Sequence, residues 1–403
     1  MSSRPRPPLP KSVWVLGFVS LLTDLSSEIY HSLLPAFVTV ALGLPVAAMG
    51  AIDGISEATA SFGKLASGRL SDRSRARKPW VLLGYGMSAL SKPLFAIATT
   101  GGMVLVARFA DRVGKGVRGA PRDALIADET PPEIRGRAFG LRQALDTVGA
   151  LLAPLAAVAL MYAFSNDIRS VFWIAAIPAA IAFVVLLFGL REHRREQPPT
   201  GRQPFFAGFR DISRATRRVL AIGFLFTLAR FSESFLILRG MDLGLSPALS
   251  PLVMVVFGVG YLSLAYPAGA LSDRVPPRTI LIGGIAVLIA GNIILANDFG
   301  IAGLIAAVLL WGVHMAMTQG IFARMIADSA PEHLRATSFG AFYFVTGIGT
   351  LLASVGAGLL WDRDGASATF MASAGIAALA LAMLTLVHDS TEPDPRSGPY
   401  PNG

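Results

Sequence analysis

Gly68-Arg69-Leu70-Ser71-Asp72-Arg73 reappears about two hundred residues later as Gly269-Ala270-Leu271-Ser272-Asp273-Arg274. Outward from this loop the match continues. Ile126-Ala127-Asp128 returns as Ile326-Ala327-Asp328, and Pro131, Arg135, Phe139, Gly140 and Leu151-Leu152-Ala153 return as Pro331, Arg335, Phe339, Gly340 and Leu351-Leu352-Ala353 at one constant spacing. A spacing held over so many residues marks a duplicated structural unit. Both copies run in the same sense, and a parallel duplication places any small-molecule site between the copies, near the bilayer midplane.

Composition says what kind of unit is duplicated. Of 403 residues, 53% are hydrophobic and 15% charged, and mean hydropathy is +0.58, whereas soluble chains carry roughly 25% charged residues. Crossing a bilayer core takes roughly 20 apolar residues per helix. Such runs start near Val13, Pro45, Trp80, Met103, Ala138, Ser170, Val219, Ser250, Thr279, Ile301, Ser338 and Thr369. The fold class predicted is an all-α membrane protein of twelve transmembrane helices in two pseudo-symmetric six-helix bundles. The first bundle covers 1–190, a basic linker 191–218, the second bundle 219–388 and a tail 389–403. Within the linker, Phe205 to Arg218 reads either as an amphipathic helix on anionic lipid or as a solvated basic segment.

The net charge of +9 sits in alternate loops and not on one face, so it sets topology and does not point to nucleic acid. Arg4, Arg6 and Lys11 precede the first run, Arg69 to Lys78 follow the second, and Arg135 and Arg137 follow the fourth. The positive-inside rule puts these loops and both termini in the cytoplasm. The first apolar run is too long for a cleavable signal. The absence of cysteine excludes disulfides and thiolate metal sites.

At these residues the chain resembles the Major Facilitator Superfamily, in particular its bacterial efflux members. The duplicated G-x-L-x-D-R loop is the most specific element. The resemblance implies a cytoplasmic gate at Gly68, Asp72, Arg73, Arg77, Gly269, Asp273 and Arg274, although Arg75 stands where the pattern has a later glycine. Arg112-Val113-Gly114-Lys115-Gly116 resembles the family's R-x-x-Q-G, with Lys115 for the glutamine. Gly149 to Pro154 resembles the antiporter motif G-x-x-x-G-P, with Ala153 for a glycine. A multi-pass protein of the bacterial inner membrane is implied, acting as a monomer in the lipid bilayer on a small-molecule substrate.

Ionisable residues inside apolar runs are costly and mark transport pathways. Asp24 and Glu28, Asp53 and Glu57, Arg108 and Arg112, and Arg142 and Asp146 are each four apart and share a helix face. The stripe of Arg108, Arg112, Lys115 and Arg122 has two readings. It is a structural network neutralised by Asp24, Glu28, Glu57 and Asp146, or part of it binds an anionic or chelating substrate. Aligning the first and seventh spans through Gly17 and Gly223 puts Asp24 opposite Arg230 and Ser27 opposite Glu233. Asp24 and Arg230, with Glu28 and Glu233 beside them, are therefore candidates for proton coupling, the alternative being a permanent ion pair. His31, His314, Met315 and Met317 lack ligand spacing, so no metal site is predicted. No phosphate loop is present, so no cofactor is expected and a proton gradient is the driving force. The expected function is a proton-coupled exporter of small amphipathic or anionic compounds, not an enzyme. The alternatives are an importer of a metal chelate or metabolite, and a non-transporting sensor or assembly factor on the same fold.

Overall fold

The computed structural model describes residues 8–72, 74, 76–131, 134–192, 212–272, 275–330 and 335–386. Within those ranges the side chains at 65, 68, 69, 72, 266, 269, 270, 272, 320, 323, 327, 328, 335 and 336 lie outside the description. Linker residues 193–211 and tail residues 387–403 lie outside it as well.

Twelve helical elements follow in order: α1 Lys11–Ala36, α2 Val46–Asp72, α3 Lys78–Ile97, α4 Gly101–Asp128, α5 Arg135–Ala163, α6 Ile168–Gly189, α7 Arg214–Ala229, α8 Ser234–Asp242, α9 Leu252–Ser272, α10 Pro277–Ala296, α11 Gly300–Ser329 and α12 Arg335–Leu386. A π-helical turn, Phe37–Ala41, extends α1. Eight described segments are long and apolar enough to cross a membrane. A count of twelve crossings needs α2, α4 and α9 to cross too and the 52-residue α12 to cross twice. That last element bends back at Gly365, whose φ of +84° suits a residue without a Cβ.

The duplication is visible in the packing. In the first half α2 lies on α4, α4 on α3 and α3 on α6; in the second, α9 lies on α11, α11 on α10 and α10 on α12. The spacing of 200 that carries Pro131 to Pro331 also carries Lys92 to Asn292 and Asp111 to Trp311. Both position pairs bond: Lys92 Nζ to Asp111 Oδ1 at 3.0 Å, and Trp311 Nε1 to Asn292 Oδ1 at 2.9 Å. One contact is thus built from charges in the first half and from neutral groups in the second, and both lie buried.

The seventh span departs from the sequence reading, which runs it as one helix. It breaks between Ala229 and Ser234, with Arg230 at φ −119° and ψ 87°. Neither glycine nor proline causes the break. Ser232 Oγ accepts from Ser234 N at 3.2 Å, and Ser232 N donates to Ser354 Oγ at 3.3 Å, so side-chain and tertiary bonds replace the helical ladder. The span also begins at Arg214, where Ser213 caps it by accepting from Thr216 N at 3.0 Å, so the last part of the expected linker belongs to α7.

Candidate functional site

A cavity of about 620 Å³ lies between the halves. Its far-side floor is polar and buried. Asp53 Oδ2 of α2 accepts from Ser232 Oγ at 2.6 Å and from Ser234 Oγ, both of the second half, while Arg108 Nη2 reaches Asp53 Oδ1 at 3.4 Å. Farther out, the Asp362 carboxylate accepts from Val46 N at 2.9 Å and Ala47 N at 2.8 Å, capping α2 from the second half. Toward the ends that carry Asp72, Asp128 and Arg135 the lining becomes exposed, with Lys64, Gln143, Gln319 and Tyr343 on its walls. The cavity therefore opens toward the side on which α1 begins and is closed on the other.

The first-half wall holds the charges. Gly149 lets α5 meet α1 directly, because a Cβ there would stand 2.4 Å from Leu21 O. Leu21 and Gly149 face each other across antiparallel helices, so Asp24 and Asp146, nearly one turn on, come together on the cavity wall. Arg142, just behind the wall, holds Asp146 at 2.8 Å and Asp123 at 3.2 Å. Most of the α4 stripe is paired: Arg108 with Asp53, Arg112 Nη1 with Glu57 Oε1 at 3.1 Å, and Arg122 with Asp123 at 3.0 Å. Asp53, Glu57, Asp111 and Asp123 hold these bases, whereas the sequence reading nominated Asp24, Glu28, Glu57 and Asp146. Lys115 faces the cavity with no carboxylate within 4.0 Å among the described residues, in the combined field of Asp24, Glu28 and Glu57. Glu28 contacts His31 at 3.3 Å.

The phenylalanine and tyrosine rings that line the cavity all come from the second half. Arg230 and Glu233 both line the cavity. Arg230 and Asp24, expected as partners, share the cavity but form no ion pair in this conformation. Arg230 Nη1 instead donates to Met315 Sδ at 2.9 Å. Met315 stands at the position equivalent to Lys115 by the 200-residue spacing, so the acid-near-base arrangement of the first half has become a base against a thioether. Among the described residues no cluster of metal-ligating side chains is present.

A model of the Major Facilitator Superfamily matches residues 16–239 and 219–402. The chain belongs to the Major Facilitator Superfamily. An uncharacterized MFS-type transporter of Methanocaldococcus jannaschii is 30% identical over 359 residues, covering 88% of this chain and 89% of its own. The multidrug resistance protein MdtL of Escherichia coli is 25% identical over 275 residues, 64% of this chain and 67% of its own. The fold is that of two solved transporters: the nucleoside transporter NupG, with TM-score 0.74, 14% identity and coverage of 93% and 98%, and the peptide transporter PepTSo of the POT family, with TM-score 0.77, 13% identity and coverage of 94% and 98%.

In this Major Facilitator fold the duplicated loop falls largely outside the described residues: Arg73, Asp273 and Arg274 entirely, and Gly68, Asp72 and Gly269 as side chains. Arg77 is described. Its guanidinium meets Asp128 at 3.0 Å, and Glu192 accepts from Lys78 N at 2.8 Å at the start of α3. Of the helix-5 motif, Gly149 makes the α1 contact and Pro154 lines the cavity. Asp53 entered the sequence reading only as an embedded charge on one helix face with Glu57, not as a site residue. Its place four residues before Glu57 was visible, but nothing local indicates that Ser232 and Ser234 donate to it.

Proposed function

We propose that this Major Facilitator protein is a proton-coupled exporter of small amphipathic or anionic compounds in a bacterial inner membrane, with both termini cytoplasmic and the chain acting as a monomer. The observation that supports this reading is the meeting of Asp24 and Asp146 in a cavity open on the terminal side and closed beyond Asp53. Two neighbouring carboxylates repel unless one of them carries a proton. With the far side open the substrate leaves and the pair takes up its proton from that side; with the terminal side open that proton is released to the cytoplasm as the next substrate binds, so substrate and proton move in opposite directions. The proton gradient is the only driving force invoked, and no bond is made or broken in the substrate.

The test is flux in proteoliposomes of the full chain, with a panel of labelled amphipathic anions, cations and neutral compounds under an imposed pH gradient. The reading predicts movement of at least one compound against the direction of proton flow. Movement in the same direction as protons makes the protein an importer, and no movement of any compound makes it a non-transporting member of the fold.

A further inference from the structure

The charges around the cavity are unequally compensated. Among the first-half bases that line the cavity, Arg108 and Arg112 hold carboxylates, while Lys115 and Lys64 each lie in the field of two or more. In the second half Arg230 has no carboxylate within 4.0 Å among the described residues, where its side chain is hydrogen-bonded only to the Met315 thioether, a weak acceptor. Glu233, three residues on, lines the same cavity but forms no ion pair with it. The adjacent His314 is fully buried and brings no negative charge to Arg230. Arg230 is half-buried at the cavity wall, and a guanidinium there without a paired carboxylate favours an anionic ligand.

What surrounds Arg230 defines the rest of the ligand. Phe226 and Phe322 touch with ring centroids 5.3 Å apart, and Phe322 and Phe342 stack at 5.9 Å. All three rings line the cavity, forming an apolar row from near the break in the seventh span toward the open side. The opposite wall carries Asp24, Glu28, Asp53, Glu57 and Asp146 against Lys64, Arg108, Arg112 and Lys115, so its charges nearly balance and Arg230 is the place for a single negative charge. A volume of about 620 Å³ suits a drug-sized molecule.

We infer that the cavity selects organic monoanions with an aromatic or extended apolar body, the carboxylate or sulfonate pairing with Arg230 and the body lying along Phe226, Phe322 and Phe342. This rests on the exporter reading only in taking the cavity as the substrate site. A guanidinium binds such a head group with two parallel hydrogen bonds, which the lone thioether cannot match. Specificity then comes from the second half of the molecule, while the first half carries the acids that move protons.

Equilibrium binding to the purified full chain, read by calorimetry in detergent with no gradient, tests the inference. The probes are 2-naphthoate and its neutral counterpart 2-naphthalenemethanol. The acid is expected to bind about ten-fold tighter than the alcohol or better, a difference of about 1.4 kcal/mol. Arg230→Gln brings the ratio to about one, and Arg230→Lys keeps part of it. Glu233→Gln raises acid affinity by removing a like charge, which is a gain that misfolding does not produce. Equal binding of acid and alcohol by the unaltered protein, or an undiminished ratio in Arg230→Gln, overturns the inference. Because no gradient is applied, that failure leaves the proton-coupled reading intact, whereas flux that ignores a pH gradient overturns the latter alone.

Discussion

Asp53 of α2 accepts hydrogen bonds from Ser232 and Ser234, at 2.6 Å from the former, and thereby ties the first half of the molecule to the second at the floor of the cavity. The same carboxylate faces Arg108 at 3.4 Å within its own half. One side chain thus bridges the halves on the closed side and neutralises a buried guanidinium. Opening that side must break both serine bonds and expose a charge pair to water.

Asp53→Asn removes the charge from this bridge and one of its strong acceptor oxygens. Hydrogen bonds to charged groups contribute about 1.5–3 kcal/mol each, so the population should shift toward far-side opening by about ten-fold or more. The chain has no cysteine, so Thr350→Cys in the cavity wall supplies a single reporter. A membrane-impermeant maleimide added on the far side should label it several-fold faster in the Asp53→Asn background. An unchanged rate would show that Asp53 does not hold the floor shut.

The Lys92–Asp111 pair, 3.0 Å apart and almost wholly inaccessible, should behave as a structural element. Removing one partner, as Lys92→Met or Asp111→Leu, leaves a buried charge and should cost about 3–5 kcal/mol. The double change should recover most of that loss, because the second half builds the same contact from Asn292 and Trp311 without charge. Thermal unfolding in detergent measures all three. A double variant no more stable than the singles would contradict the pairing.

Asp167, outside the spans, caps α6 by accepting from Ser170 Oγ at 2.6 Å and from Arg169 N at 3.1 Å. The Ser170 hydrogen bond, with the two backbone N–H groups, holds its carboxyl below the usual range. A carboxylate whose pKa is depressed on folding adds stability above its unfolded pKa and loses it as pH falls through the folded value. Asp167→Ala should therefore cost about 1 kcal/mol near neutrality, and the gap to the unaltered protein should close below about pH 4. Unfolding temperatures across that range decide it.

Much of the fold was legible because the duplicated residues keep one spacing, and a spacing survives where individual contacts cannot be seen. Pro131 with Pro331 and Phe139 with Phe339 fixed the equivalence that the helix packing repeats. The alignment of Asp24 with Arg230 led to one cavity, yet it could not say that α5 would bring Asp146 to Asp24 through the Gly149 contact. The break at 230–233 was illegible for the same reason. Its causes, Ser232 with Asp53 and with Ser354, lie more than a hundred residues away in the chain. The stripe on α4 was plain from the four-residue spacing, but which acids neutralise it depends on how α2 lies against α4.

The most direct measurement is substrate-linked proton movement in proteoliposomes for the full chain and for Asp24→Asn, using a compound that the unaltered protein moves under a pH gradient. The amide cannot release a proton, so it holds the Asp24–Asp146 contact in its protonated form. Gradient-driven accumulation should fall to background while exchange of labelled for unlabelled compound persists. Full gradient-driven accumulation in Asp24→Asn would contradict the proposed coupling.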